Sequence, residues 1–286
     1  MGQAHIDAKS ETTISCILPT YQRYSDLEIV LRSLATQDFQ KNQFEVIVVE
    51  DGQDNMTKTL MVTFLPLLNL VHVTNPEPIN NVARLRNQGL EHSKGRLVLF
   101  LDDDTILPQE DFLTKLVRMF EDNPATGNVQ IPGEASYGLL RIKYDYLDKY
   151  SYASRCVAYR RGALIAIGGF FEELSSYEDI DLAIRYTIFD GRTQRAEGLL
   201  YRHPPLYFEN WQKPLCNALS FLRLSLRYSW PIWFVCYMNA LRFLPLLLSP
   251  HVKQRQWGRI SAGFFLAPAY LIYRKFVKSD KATIYR

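Results

Sequence analysis

Residues 96–108 read RLVLFLDDDTILP, an apolar run that ends in three successive carboxylates, Asp102, Asp103 and Asp104. The run suits a strand buried inside a sheet. Like charges this close repel, and holding them beside a buried strand is costly without a compensating partner. The stretch therefore sets two questions: which sheet the strand belongs to, and what neutralises its acidic end.

Upstream, TTISCILPT (12–20) is β-branched and apolar and stops at Pro19, as a buried strand would. SDLEIVLRSLATQ (25–37) follows, with Ser25 and Glu28 in capping-box spacing and an apolar stripe of Leu27, Val30, Leu31 and Leu34. FEVIVVEDG (44–52) and NLVHVTN (69–75) read as two further strands. NNVARLRNQGLEHSKG (80–95) reads as a helix with Gly95 as its stop. After Pro108, EDFLTKLVRMFED (110–122) keeps helical period through Phe112, Leu113, Leu116, Val117 and Phe120. Strands alternating with helices predict an α/β fold with a mostly parallel, helix-covered sheet. Ligands of such sheets bind beyond the carboxyl ends of the strands. Three strands here end in polar or acidic residues, at Thr20, at Glu50 and Asp51, and at Asp102 to Asp104, so the acids gather at one rim.

The 286 residues allow one large domain, or a domain with an appendage. Charge divides unevenly along them. Residues 1–212 hold 21 Lys and Arg against 29 Asp and Glu, a net of −8; residues 213–286 hold 12 against the single acid Asp280, a net of +11. Such a split points to an appended segment with an anionic partner. Cys16, Cys156, Cys216 and Cys236 are far apart, show no CxxC spacing, and read as reduced structural thiols. The polar opening MGQAHIDAKSETT lacks the apolar core of a signal peptide, and Ile6 breaks the myristoylation pattern, so the active domain is expected to face the cytosol.

Three acids offer hard oxygen ligands of the kind Mg²⁺ or Mn²⁺ takes, and such ions commonly bridge a protein to phosphates. On an extended segment Asp102 and Asp104 would project to one side and Asp103 to the other. The alternative is a solvated acidic turn. From 133 to 212 the periodicity loosens. A stretch rich in tyrosine (Tyr137, Tyr144, Tyr146, Tyr150, Tyr152) leads to a short strand at CVAYRR and then to GALIAIGGFFEELSSYEDIDLAIRY.

Six pieces now stand in one order: ILPTYQR, VIVVEDG, ARLRNQGL, VLFLDDDTILP, GGFFEE and YEDIDLAIR. Together, over about residues 12–210, they resemble the family-2 glycosyltransferases, whose fold is the GT-A type with a Rossmann-like nucleotide-binding half. The resemblance implies a nucleotide-diphosphate sugar donor met by Pro19, Thr20, Tyr21 and Arg23, with Tyr21 stacking on the base. Asp51 would accept from base or ribose, although a plain turn acid before Gly52 explains it equally well. Arg86 and Asn87 would lie near the diphosphate, together with Asp102 and Asp103. Asp102 and Asp104 match the family's DxD pair and would hold Mn²⁺ or Mg²⁺. His203 stands where many relatives carry a third ligand, its other reading being a structural histidine. Asp179 would be the general base, with Glu178 beside it. Gly168, Gly169 and Phe170 would form a wall next to the acceptor. One displacement of this kind inverts the anomeric centre. The Q-x-x-R-W sequence of processive synthases is missing, QRQWGR (254–259) having the wrong order and place, which favours a single addition.

The expected organisation is a tail over 1–11, a catalytic domain over 12–212 (12–104 for the donor, 105–212 for the acceptor), and a helical, basic, membrane-associating segment over 213–286. In that segment Arg223, Arg227 and Arg242 interleave with Trp, Phe and Leu, as in helices lying in an anionic interface. Apolar runs at 229–248 and 260–273 leave two short spans or a re-entrant hairpin open, as does an ordinary appendage packed on the domain. No nucleic-acid-binding module is recognisable. The expected acceptor is a lipid-linked or other saccharide at the cytoplasmic face of the membrane, with a soluble cytoplasmic enzyme as the alternative. A polyprenyl-phosphate sugar synthase is a close variant. Other classes are a nucleotidyltransferase, which should show a glycine-rich loop that ILPTYQRYSD lacks, and a non-catalytic nucleotide-binding membrane adaptor.

Overall fold

The computed structural model describes residues 12–135, 143–144, 155–174, 176–190 and 192–204, and scattered positions between 219 and 266. Among the described residues, ten strands and six α-helices are delimited: β1 Ile14–Thr20, α1 Tyr24–Ala35, β2 Phe44–Glu50, α2 Asn55–Phe64, β3 Leu70–Thr74, α3 Val82–His92, β4 Leu97–Leu101, α4 Phe112–Asp122, β5 Asn128–Gln130, β6 Gly133–Ala135, β7 Lys143–Tyr144, β8 Cys156–Arg160, α5 Arg161–Ala166, α6 Glu178–Phe189, β9 Thr193–Arg195 and β10 Tyr201–His203. Seven strands make one sheet in the order β3-β2-β1-β4-β8-β5-β9. All neighbours run parallel except around β8, which is antiparallel to both β4 and β5. This is the mostly parallel, helix-covered sheet of the GT-A type.

The apolar runs explain the order. β1, β2 and β4 are buried along their whole length, because helices cover both faces. Cys16 and Leu18 point into a core shared with α1, α2 and α4. Ile17, Val98 and Phe100 point to the other face, against α3, α5 and α6. The two expected halves meet inside the sheet, where Leu97–Leu101 of β4 pairs with Cys156–Arg160 of β8. Cys16 and Cys156 are buried free thiols, and burial pushes both well above the ordinary thiol range.

Two local expectations are corrected. The capping box at Ser25 does not form: Arg23 is the N-cap residue of α1, without a side-chain cap, and Glu28 pairs with Arg32 one turn on. α3 ends at His92, before Gly95. Gly95 is required for a different reason. A Cβ there would lie 2.7 Å from the backbone of Ile14 and Ser15, so only glycine lets this segment pass against β1.

In the tail the described positions are mostly helical, and Leu244–Leu248 forms a 3₁₀ turn. No helix among the described residues is long and apolar enough to cross a membrane. Much of the runs 229–248 and 260–273, like Cys216, Cys236 and four of the five tyrosines between 137 and 152, lies outside the described residues.

Candidate active site

β4 delivers the three acids to the rim and a turn then folds them together. The amide of Thr105 donates to the carbonyl of Asp102 at 3.0 Å, closing the turn. Asp102 and Asp104 therefore converge through a turn rather than through the alternation of an extended segment. The chain leaving the turn meets β10: Ile106 and Arg202 exchange two backbone hydrogen bonds of 2.9 Å each. That bridge sets His203, on the next residue of β10, beside the acids. Its Nε2 lies 2.9 Å from Asp104 Oδ1 and 4.0 Å from Asp102 Oδ2. Ligand atoms of Asp102, Asp104 and His203 lie within 4.8 Å of one another.

The chemistry of this set fits a cation. His203 Nδ1 is 2.6 Å from the carbonyl of Pro204, which only accepts, so Nδ1 carries a proton. In the neutral ring, Nε2 then turns a lone pair toward Asp104 Oδ1. That oxygen is buried without a well-aligned hydrogen-bond donor. Two lone pairs facing each other need a proton or a divalent ion between them.

Around the triplet, the carboxylates of Asp102, Asp103, Asp104, Glu178 and Asp179 gather near the guanidinium groups of Arg23, Arg86 and Arg155, and Arg23 is shared with Asp26. Arg23 Nη1 is 2.8 Å from both Asp103 Oδ1 and Asp104 Oδ2. Arg86 is buried and bridges two elements, donating to Asp102 Oδ1 at 2.8 Å and Glu178 Oε1 at 2.7 Å. Arg155 Nε lies 3.7 Å from Asp102 Oδ2. Burial raises Asp103 to about 7, against the opposing pull of Arg23, while the Thr20 hydroxyl donates to it at 2.9 Å. Burial also pushes Asp104 up, but His203, in the form that carries a proton on Nε2 as well, and Arg23 more than offset this and hold it at about 2.

Asp179 enters from the start of α6. Tyr177, the N-cap residue, is left-handed at φ 63°, and Glu178, Asp179 and Asp181 fill the first turn, where the helix dipole favours acids. Burial, then the neighbouring Glu178, raise Asp179 above the ordinary carboxylate range. Its Oδ1 accepts from the Ile180 amide at 2.9 Å, and among the described residues no donor engages Oδ2. The chain Asp102–Arg86–Glu178 thus ties the acidic turn to the helix that carries Asp179.

The remaining candidates separate into three groups. Thr20 is buried against Asp103, whereas Tyr21 is exposed, its ring edge near Gly52. Asp51 is buried and accepts from the amides of Ile79 and Asn80 at 2.5 and 2.7 Å, so the loop after β3 already occupies its carboxylate. Asn87 faces the 168–172 loop: it accepts from the Phe170 amide at 2.8 Å and donates to the Phe170 carbonyl at 2.9 Å and to Glu172 at 2.8 Å. Gly168 and Gly169 have positive φ, and a Cβ on Gly169 would lie 2.5 Å from Asn87 Oδ1. Phe170 is buried and lies under the Arg86 guanidinium at 5.3 Å. Pro19 is inside β1, which brings Thr20 to the rim. Arg155 escaped sequence reading, since nothing local marks the arginine before β8 until β8 is paired with β4. Asp181 was legible only as one of the acids at the start of a helix, which the helix dipole explains equally well. It is fully buried and contacts Arg185, Arg227 and Tyr228.

The family model for Glycosyl transferase family 2 matches residues 15–171. Among curated proteins, the chain is 34% identical over 96 residues to the poly(ribitol-phosphate) beta-N-acetylglucosaminyltransferase TarS of Staphylococcus aureus, which is 34% of this chain and 17% of TarS. It is 26% identical over 188 residues to an uncharacterized glycosyltransferase of Haemophilus influenzae, 60% of this chain and 61% of the relative. These matches span less than two thirds of either relative. Among solved structures, the mannosyltransferase PcManGT from Pyrobaculum calidifontis, in complex with GDP-Man and Mn²⁺, superposes with a TM-score of 0.67 at 17% identity, covering 92% of this chain and 87% of its own. TarS 1–349 in complex with UDP-GlcNAc gives 0.66 at 19% identity, covering 90% and 81%.

Proposed function

The chain belongs to glycosyl transferase family 2, and from that premise we propose that it moves one sugar from a nucleotide-diphosphate donor to an acceptor hydroxyl, with inversion at the anomeric carbon. Convergence of Asp102, Asp104 and His203 at the rim, joined through Arg86 and Glu178 to the helix bearing Asp179, is the observation that carries this reading. In it, residues 12–104 bind the donor and 105–212 the acceptor.

Each residue's part follows from its surroundings. Asp102, Asp104 and His203 would hold Mn²⁺ or Mg²⁺, which when bound supplies Lewis-acid stabilisation of the departing diphosphate. Arg23, Arg86 and Arg155 offer guanidinium groups to diphosphate oxygens. Tyr21 presents an exposed ring for the base. Asp179 takes the acceptor hydroxyl proton at Oδ2, and its raised pKa suits a base near neutral pH. Glu178, held by Arg86, sustains that shift. Gly168, Gly169 and Phe170 wall the acceptor side, clamped by Asn87.

For the acceptor, a saccharide carried on a membrane lipid fits the basic tail, whose Trp230, Phe234, Leu248 and Val252 are exposed. A polyprenyl phosphate accepting the sugar directly is the close variant. The test incubates the full chain with a panel of nucleotide sugars and Mn²⁺ or Mg²⁺, and follows release of nucleoside diphosphate. The expected result is turnover of one donor, lost donor binding in Asp104→Ala, and kept binding without transfer in Asp179→Asn. Failure of every donor to bind with either metal would overturn the proposal and favour a non-catalytic adaptor.

A further inference from the structure

Asp181 lies two residues beyond Asp179 on α6 and is fully buried. Three cationic or hydroxyl groups converge on it from two directions. Arg185, one turn on, donates from Nε to Oδ2 at 2.7 Å and spends its other two nitrogens on the carbonyls of Ile167 and Gly169, at 2.8 and 2.7 Å. From the C-terminal segment, Arg227 Nε donates to Oδ1 at 3.1 Å and the Tyr228 hydroxyl to the same oxygen at 2.7 Å. The Arg227 guanidinium also lies 3.5 Å from the centroid of the Phe171 ring. One buried carboxylate therefore joins the first turn of α6, the 167–171 loop and the C-terminal segment.

We infer that Arg227 and Tyr228 are positioning residues: they lock the 167–171 loop and the start of α6 into one arrangement, and so hold Asp179 and the acceptor wall in register. The inference rests on the reading above for what Asp179 and that wall do. Its physical ground is independent of it. A buried carboxylate that loses partners is strongly disfavoured, and if the tail lets go Asp181 Oδ1 loses both Arg227 and Tyr228. Arg185 would then have to carry both the carboxylate and the two loop carbonyls alone. The C-terminal segment is on this account a structural part of the acceptor side.

The experiment uses the full chain and the variants Arg227→Gln, Arg227→Lys and Tyr228→Phe. Amide hydrogen exchange is read over 167–172 and 178–182, with β1 and β2 as internal reference. Arg227→Gln should speed exchange in both segments about tenfold or more, the scale of one lost charge-assisted hydrogen bond, with β1 and β2 unchanged. Arg227→Lys should restore most of the protection, and Tyr228→Phe, which keeps the ring, should loosen the same segments less. In parallel, hydrolysis of UDP-GlcNAc and of GDP-mannose is followed with Mn²⁺. Where wild type turns either over, Arg227→Gln should lower kcat and leave the donor KM unchanged, with recovery in Arg227→Lys. Faster exchange confined to 219–232, or an unaltered kcat alongside loosened tail peptides, would overturn the inference. If wild type hydrolyses neither donor, exchange alone decides it, and the loss falls on the reading of the reaction instead.

Discussion

At the scale of single residues, the rim works by opposing burial to charge. Asp104 is held near 2 by His203 and Arg23, so it is ionised throughout the range in which the protein would act. If Asp104 is a ligand of the proposed ion, Asp104→Ala should weaken metal-dependent binding of the nucleoside diphosphate by about 100-fold or more, measured by titration calorimetry; loss of even an outer-shell partner costs 10–100-fold. Asp179 is shifted the other way. In the role of general base proposed for it, Asp179 acts ionised, so raising its pKa would move the acidic limb of the rate profile upward toward neutrality. We expect kcat/KM to fall about tenfold per pH unit below that raised pKa, and the limb to vanish in Asp179→Asn with a loss of about 10²–10⁴-fold in rate. A profile flat through the acidic range in wild type would remove Asp179 from that role.

At the scale of elements, caps and close approaches can be told apart only by their neighbours. Asp54 caps α2, its Oδ1 accepting from the Met56 amide at 3.1 Å. Asp54→Ala should therefore cost about 1 kcal/mol in urea unfolding. Ser25→Ala, at the position whose spacing promised a cap on α1, should cost nothing comparable, because Ser25 follows the N-cap residue, which makes no side-chain cap. Gly95→Ala tests the passage against β1. The added carbon meets backbone, which cannot rotate away, so a destabilisation of about 1–3 kcal/mol is expected, the range of an overpacked site. Denaturation that is unchanged in Gly95→Ala would mean that β1 and the segment before β4 have slack between them.

At the scale of the molecule, two sheets meet at the site: the seam between β4 and β8 of the seven-stranded sheet brings Arg155 to Asp102, while His203 comes on β10 of the three-stranded sheet β10-β6-β7. The tail adds a second organisation. Its charge and its exposed Trp230 and Phe234 are expected to give binding to vesicles containing anionic lipid, weakening with salt. Trp230→Ala with Phe234→Ala in the full chain should lower the bound fraction severalfold in sedimentation, by removal of apolar area. Equal binding to purely zwitterionic vesicles would mean that the basic charge serves something other than a lipid surface.

The amino-acid sequence by itself determined β1 to β4, β8, the helices α1, α3 and α4, and the polar rim, but not the short strands β5, β6, β7, β9 and β10. Those signals are short-range: apolar runs, a helical stripe such as Leu27, Val30, Leu31 and Leu34, and the break at Pro108. The acids at 102–104 were legible for the same reason, being consecutive. What only the tertiary structure decided is which side chains meet. His203 reaches Asp104 because Ile106 and Arg202 pair across nearly a hundred residues. Arg86 finds Asp102 on one side and Glu178 on the other, and Asn87 turns to the 168–172 loop. Asp181 gathers partners from the tail, where composition had shown only positive charge. A hydrogen bond is lost by a shift of an ångström, and strand register between distant segments sets distances on that scale, which no local pattern of residue types encodes.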